Sequence, residues 1–291
     1  MIRILKLFIR AALWLFCTDI NIKNKHLLKQ KGPLLIIANH PNSFLDAIII
    51  GAQYSRRVYF LARGDAFTKK HHRFFLGLLN MIPVYRLREG KQFLHLNEYA
   101  FNESIRLLNN GEAVLIFIEG TCINTHKLQP FKKGTTRILE GAHKKGLFPN
   151  IHIVGIAYNQ LKGIGKKVNI SLSQMHPNQS IIIPKDRVEF NKQAFKLLAE
   201  NIFIPNQPTN IKKNPIYYFH LPYYNLIKKI ATNKTTGTVF FDSVLFSLLL
   251  FTYPIYIILI ITFLYIIGLP LPIIFGTLLC VLLLSKHTIE V

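Results

Sequence analysis

An α/β fold with a mostly parallel central sheet flanked by helices is what the sequence predicts, on three observations. Short apolar runs of strand length alternate with stretches of helical length; the first such run is apolar throughout, as a buried parallel strand is; and two of the helical stretches end at Asn110-Gly111 and Gly146. Strands are expected at residues 34–38, 58–62, 82–85, 113–118, 151–157 and 168–172, and helices at 44–53, 71–80, 92–109 and 135–145.

Before this alternation begins, residues 1–16 place Arg3, Lys6 and Arg10 within a narrow arc of a helical wheel, with Ile2, Leu5, Phe8, Ile9, Leu13, Trp14 and Phe16 over most of the remainder. That pattern predicts an amphipathic helix lying in a headgroup region, over residues 1–20. A signal peptide fits less well, because Arg10 interrupts the apolar run and no small-residue cleavage site follows. After residue 172 the alternation fades. Residues 201–214, rich in Asn, Pro and Lys, read as a linker or substrate-side loop, and 217–229 mix aromatics with a closing Lys228-Lys229 pair, a segment suited to skim a membrane. Residues 243–284 carry no charge, contain Pro254, and are divided by Gly268-Leu269-Pro270-Leu271-Pro272, which predicts a hairpin of one full-length transmembrane segment and one shorter. Lys228, Lys229 and Lys234 before the hairpin and Lys286 after it place both flanks on the cytoplasmic face. The expected division is therefore 1–20, a catalytic domain over 21–236, and the hairpin with its tail over 237–291.

Lys plus Arg number 36 against 14 for Asp plus Glu, a formal charge of +22, and half of the residues are hydrophobic, with a mean hydropathy of +0.27. The charge asks for an anionic partner. The basic residues are scattered in ones and twos without a recognition helix, zinc-ligand spacing or RNA-binding signature, so no nucleic acid is expected. An anionic membrane accounts for the charge and the apolar tail together. Cys17, Cys122 and Cys280 form neither a disulfide framework nor a metal site.

In a parallel sheet, ligands bind beyond the carboxyl ends of the strands. His40 follows the first expected strand, Arg86 the third, and Glu119-Gly120-Thr121 the fourth. In Asn39-His40-Pro41-Asn42-Ser43-Phe44-Leu45-Asp46, an imidazole at a strand end and a carboxylate one turn into a helix make a base and its orienter: Asp46 holds the Nδ1 proton and leaves Nε2 to take a proton from a hydroxyl. The same residues also read as a capping box, with Ser43 capping the helix and Asp46 reaching back. Gly120 allows close backbone approach, Thr121 offers a hydroxyl, and Arg86 suits a phosphate. His71, His72, His95, His126 and Cys122 are read as structural or peripheral: adjacent histidines on a helix point about 100° apart, and nothing in the sequence activates the thiol.

Over about residues 30–185 these motifs resemble the glycerolipid acyltransferases of the lysophosphatidate acyltransferase type. Asn39-His40 with Asp46 is similar to the family's first block, Ile82-Pro83-Val84-Tyr85-Arg86 to its second, Phe117-Ile118-Glu119-Gly120-Thr121 to its third, and Phe131-Lys132-Lys133-Gly134 to the basic loop that follows. The resemblance implies a base at His40 oriented by Asp46, and a phosphorylated acceptor bound by Arg86, Glu119 and Gly120. Departures are visible. Five residues rather than four separate His40 from Asp46, as in a fungal branch acting on glycerol 3-phosphate and dihydroxyacetone phosphate; Ile118, Cys122 and Ile123 replace the third block's proline and Arg-Ser; Asn80 stands for a glycine and Ile153 for the fourth block's proline. Arg86 and Lys133 are the candidates to supply the missing positive charge.

The expectation is thus a membrane-bound O-acyltransferase. It moves a fatty acyl group from acyl-CoA or acyl carrier protein to a hydroxyl of 1-acyl-glycerol 3-phosphate or glycerol 3-phosphate, without metal or prosthetic group, since a thioester is already activated. Two rivals stand beside it: an acyltransferase for a phosphate-free lipid such as an amino-acid lipid, and a non-enzymatic basic protein that docks on membranes.

Overall fold

The structure, a computed structural model, describes residues 2–68, 70–85, 90, 92, 95–175, 187–204 and 215–285. In chain order these form α1 (Ile2–Phe16), β1 (Cys17–Lys23), β2 (Leu34–Ala38), α2 (Phe44–Gln53), β3 (Val58–Arg63), α3 (Lys70–Leu78), β4 (Met81–Val84), α4 (Leu96–Asn109), β5 (Ala113–Phe117), α5 (Gly134–His143), β6 (Asn150–Tyr158), β7 (Lys166–Met175), α6 (Arg187–Asn201), α7 (Pro215–Thr235), α8 (Phe241–Ile266) and α9 (Leu271–Ser285).

The strands make one sheet in the order β1-β7-β6-β2-β5-β3-β4. Neighbours from β6 through β2, β5 and β3 to β4 are parallel; β7 runs antiparallel to β6, and β1 parallel to β7. The reversal follows from the connection: residues 159–165 join β6 to β7 with no helix, too short a link for a parallel crossover. All six expected strands and all four expected helices are present within a few residues of their expected limits. Three elements were not anticipated: the edge strand β1, and α6 and α7 as helices.

Alternation along each strand sorts the core into two faces, because successive side chains point to opposite sides. Leu34, Ile36 and Ala38 of β2, Ala113 and Leu115 of β5, and Val154, Ile156 and Tyr158 of β6 pack with α1, α2 and the start of α8. Leu35, Ile37, Val114, Ile116, Ile151 and Ile153 pack on the other side with α4, α5 and α6. All five β2 residues are wholly buried. Each of its two Leu and two Ile side chains contributes roughly 1.5–3 kcal/mol by leaving water, which fixes this strand and the corner after it. At Gly155 of β6 an added Cβ would lie 2.5 Å from the backbone of Asn201, so α6 docks on the sheet only because this position is bare.

The expected N-terminal helix is present, but two cations of its basic arc face the protein rather than outward. Lys6 donates to the carbonyls of Tyr54 and Arg56 at 2.8 and 2.6 Å, and Arg10 to that of Ala52 at 3.0 and 2.7 Å, so both satisfy acceptors at and beyond the carboxyl end of α2. Burial, and then the charge of Arg10, bring the Lys6 ammonium down to about 8. Ile4, Leu7 and Phe8 of the same helix are exposed.

At the other end, α8 is a 26-residue helix long and apolar enough to cross a membrane. Its first turns are docked: Leu245, Phe246 and Leu249 are buried, and Phe246 meets Phe16 edge to face at 5.5 Å. Phe251, Ile255, Ile258, Leu259, Phe263 and Ile266 beyond them are exposed. The second arm, α9, is 15 residues, about 22 Å at 1.5 Å per residue, and falls short of a bilayer core of about 30 Å. Among the described residues α8 alone is both long and apolar enough for a full span. Lys286 lies outside the described residues.

Candidate active site

The site is built where β2 and β5, side by side, reach the same rim of the sheet. Ala38 pairs with Phe117, and the Ile118 N–H donates to the Ala38 carbonyl at 3.1 Å. One residue further, Asn39 extends the pairing with its side chain. Its Nδ2 donates to the Ile156 carbonyl at 2.9 Å, and its Oδ1 accepts the Ile156 N–H at 2.8 Å, which ties the strand end to β6. His40 therefore leaves the sheet from a fixed point. Its ring stacks on Phe117, with centroids 3.7 Å apart and planes 10° from parallel.

His40 Nδ1 lies 2.9 Å from Asp46 Oδ2. The Asn42 N–H donates to the same oxygen at 2.7 Å, and the Tyr158 hydroxyl to Oδ1 at 2.5 Å. Asp46 is wholly buried and the His40 side chain 17% exposed, so the carboxylate sits behind the ring and Nε2 is left on the outer side. A carboxylate partner fixes the proton on Nδ1. Burial, with Asp46 beside it, drives the Tyr158 phenol well above its ordinary value and keeps it a donor.

The capping-box alternative does not form. Ser43 makes no side-chain cap, and the Asp46 carboxylate is taken by His40, Asn42 and Tyr158. Ser43 adopts φ 54°, ψ −140°, a backbone conformation in which the five-residue spacer turns into α2. Its N–H donates to Cys122 Sγ at 2.9 Å. Burial, and then the charge of Asp46, push that thiol up to about 12, which makes Cys122 an acceptor and packing group rather than a nucleophile.

Glu119, 3% exposed, accepts the His40 N–H through one oxygen and the Gln129 N–H through the other, both at 3.1 Å. It thereby fastens the His40 corner to the loop after β5. Burial raises its carboxyl, with the two N–H groups pulling the other way. Gly120 has φ 62°, and a Cβ there would meet Lys132 Cγ at 2.8 Å, so the stem of Lys132 lies over this turn. Thr121 Oγ1 is 3.5 Å from the Glu119 carbonyl. Lys133, immediately before α5, is exposed and offers its carbonyl to Thr136 Oγ1. Arg86 lies outside the described residues. Its strand, β4, ends beside β3 at the same rim, where Asn97 pins the Tyr85 N–H and carbonyl at 2.6 and 2.7 Å.

The structure thus brings His40, Asp46, Glu119 and Gly120 together, with Lys132 against them. Asn39, Asn42, Tyr158 and Lys132 carry no site role in the sequence reading. Tyr158 ends a strand and was accessible to the strand-end rule; Lys132 stands beside the chosen Lys133. Among the described residues, no group of three His, Cys, Asp or Glu side chains could hold a metal.

Residues 19–159 match the family model described as Acyltransferase. That stretch, just under half of the chain, belongs to the acyltransferase family. The family match opens in β1 and closes just after β6, so it holds the whole His40–Asp46–Glu119–Tyr158 arrangement. The chain is 27% identical over 139 residues to lyso-ornithine lipid O-acyltransferase of Brucella abortus (strain 2308). That match covers 47% of this chain and 49% of the relative, so it spans about half of the curated protein's length. The chain also overlays the crystal structure of the 1-acyl-sn-glycerophosphate (LPA) acyltransferase PlsC from Thermotoga maritima, with a TM-score of 0.49 and 19% identity over 68% of this chain and 76% of that one.

Proposed function

We propose that the protein is a membrane-bound O-acyltransferase with His40 as its general base, and that it moves a fatty acyl group from a thioester donor, acyl-CoA or acyl carrier protein, to a hydroxyl of 1-acyl-glycerol 3-phosphate or glycerol 3-phosphate. The observation that carries the reading is the wholly buried Asp46 carboxylate on His40 Nδ1, which leaves Nε2 on a partly exposed ring.

The steps follow from that geometry. Nε2 takes the acceptor's hydroxyl proton as the oxygen forms a bond to the thioester carbonyl carbon, and Asp46 stabilises the imidazolium. The tetrahedral intermediate collapses, the carbon–sulfur bond breaks, and the imidazolium returns its proton to the departing thiolate. Base catalysis of this kind is worth roughly 10² to 10⁴ in rate. Glu119 acts here as a brace, since both of its oxygens hold backbone N–H groups. Lys132, whose stem lies over the Gly120 turn, and the exposed Lys133 beside it in sequence supply positive charge for an acceptor phosphate, together with Arg86 by its place in the second block.

An apolar groove, open to solvent, runs along α2 from Phe44 past Ile48 to Ala52, between Leu5 and Ile9 of α1 and Phe60 of β3. It begins one residue beyond Ser43 and suits an acyl chain. α8, with the exposed Ile4, Leu7 and Phe8, fits a protein held at a bilayer, and the lysines flanking the hairpin favour a catalytic domain on the cytoplasmic face.

A second reading is an amino-acid-lipid acceptor, favoured by the name of the Brucella relative and by Cys122-Ile123 where the family's third block carries Arg-Ser. Purified protein given a labelled acyl thioester and a panel of lysophosphatidate, glycerol 3-phosphate and lyso-ornithine lipid decides between them. On the first reading the phosphorylated acceptors turn over, and Arg86→Ala raises their KM. Turnover of the ornithine lipid alone, untouched by Arg86→Ala, selects the second. No transfer to any acceptor by folded protein ends both.

A further inference from the structure

Three buried polar side chains that this chemistry does not use lie behind the catalytic corner. Lys166 of β7, Asp242 of α8 and Asn42 of the corner are 0%, 1% and 1% exposed. Asp242 Oδ2 accepts from Lys166 Nζ at 2.7 Å and from Asn42 Nδ2 at 2.8 Å, and Asp242 Oδ1 accepts the Gly163 N–H at 2.8 Å. Two routes lead from this carboxylate to the dyad. Asn42 donates its backbone N–H to the Asp46 oxygen that holds His40. The Lys166 ammonium lies 5.6 Å from the centre of the Tyr158 ring, whose hydroxyl donates to the other Asp46 oxygen.

A buried ion pair is a poor source of stability, because desolvating both charges offsets their attraction, and its use is better sought in the geometry that it fixes. Here that geometry is unusual in its reach. Asp242 stands in the first turn of α8, where helix N–H groups favour a negative charge, and it grips a residue 200 positions away in the middle of the His40–Asp46 spacer. The Asn42 amide is held from a second side by the Leu161 carbonyl, at 3.1 Å.

We propose that Asp242 is a positioning residue for the His40–Asp46 dyad, acting through Asn42, so that the long apolar helix α8 is a working part of the active site as well as an anchor. The catalytic half of this proposal rests on the acyl-transfer reading above; the structural half, that Asp242 sets the shape of the corner, does not. Loss of the grip frees the spacer, the Asn42 N–H leaves Asp46, and the imidazole loses its fixed bearing.

The test uses the full-length protein in detergent and two double variants, Asp242→Ala with Lys166→Met and Asp242→Asn with Lys166→Met. Removing both charges together avoids leaving a buried ammonium unpaired. Amide exchange by mass spectrometry over residues 39–47, referred to residues 113–117, and kcat against KM are measured on each. With alanine, exchange at Asn42 and Ser43 speeds at least about tenfold while 113–117 keeps its wild-type rate, and kcat falls roughly 10- to 100-fold at unchanged KM, the scale of a small misplacement of a catalytic group. Asparagine keeps an oxygen for Asn42, giving up only the bond from the Gly163 N–H, and restores both readouts to within about threefold of wild type. Unchanged exchange at 42–43 in the alanine variant overturns the proposal, as does an equal loss in both variants or a kcat loss that only tracks the folded fraction. An inactive wild type sinks the acyl-transfer reading and with it the catalytic half, while the exchange comparison still decides whether Asp242 shapes the corner.

Discussion

Asp46→Asn changes one charge while keeping the shape of the side chain. The Asp46 carboxylate takes three donors, His40 Nδ1 at 2.9 Å, the Asn42 N–H at 2.7 Å and the Tyr158 hydroxyl at 2.5 Å. An asparagine can turn its carbonyl oxygen toward His40 and Asn42 and its amide toward Tyr158, whose hydroxyl then accepts. The network stays paired, so the fold is retained. What is lost is the negative charge beside the imidazolium that forms as the acceptor is deprotonated. At an effective dielectric of about 20, a charge centre about 4 Å away is worth about 4 kcal/mol, and Asp46 is wholly buried, so solvent does little to weaken it. At 1.36 kcal/mol per tenfold in rate, kcat falls about 10²- to 10³-fold with KM for both substrates little changed. Acyl transfer from a labelled thioester, followed with a thermal melt of the same samples, reads both quantities. Retention of kcat within about threefold in a folded variant would refute the role assigned to this carboxylate.

Ile48→Trp fills the groove along α2 about one turn from Phe44, and is expected to shift donor preference toward shorter acyl chains at equal stability; a panel of thioesters of different length reads it. His152 is wholly buried with Nδ1 3.1 Å from the Tyr54 hydroxyl, and burial brings its imidazole down to about 4 from 6.5. Between those values the unfolded chain binds a proton that the folded one does not, so stability rises with pH across the window: the contribution is whole above about 6.5 and is lost as pH falls to about 4. The loss is about 3 kcal/mol, and melts from pH 4 to 7 should show it in the wild type and a flatter course in His152→Gln. Ser43→Gly relieves a positive-φ side chain worth roughly 1–3 kcal/mol and gives back about 0.5–1 in chain entropy, so the melting temperature rises; a fall would show that the Ser43 turn is not strained.

How much was legible follows from what each element needs. β2 and α2 were found at their limits because both are apolar enough to declare burial on their own. β1 was missed because it is an edge strand with alternating exposure, Thr18, Asp19, Asn21 and Lys23 interleaved with Ile20 and Ile22, and only its pairing with β7 makes it a strand. α6 is polar and weakly amphipathic, and α7 carries Pro222 inside the helix, so neither announces itself. At the site, His40 and Asp46 were legible because they share one corner, six positions apart. Tyr158 and Asp242 reach that corner from 112 and 200 positions away, and no spacing rule encodes such contacts. The capping-box alternative could not be settled from residue types, since the positive φ of Ser43 decides it. The basic arc of α1 misled in its direction: Lys6 and Arg10 answer carbonyls at the end of α2, a demand that appears only once the two helices are packed.

The most direct measurement is the rate of thiol release from an acyl thioester in the presence of a lyso-lipid acceptor, in single turnover, for wild type and for His40→Ala. With Nε2 of His40 as the base, the variant folds, binds both substrates and loses roughly 10² to 10⁴ of the rate. A folded His40→Ala protein that still transfers acyl groups at close to the wild-type rate contradicts the account.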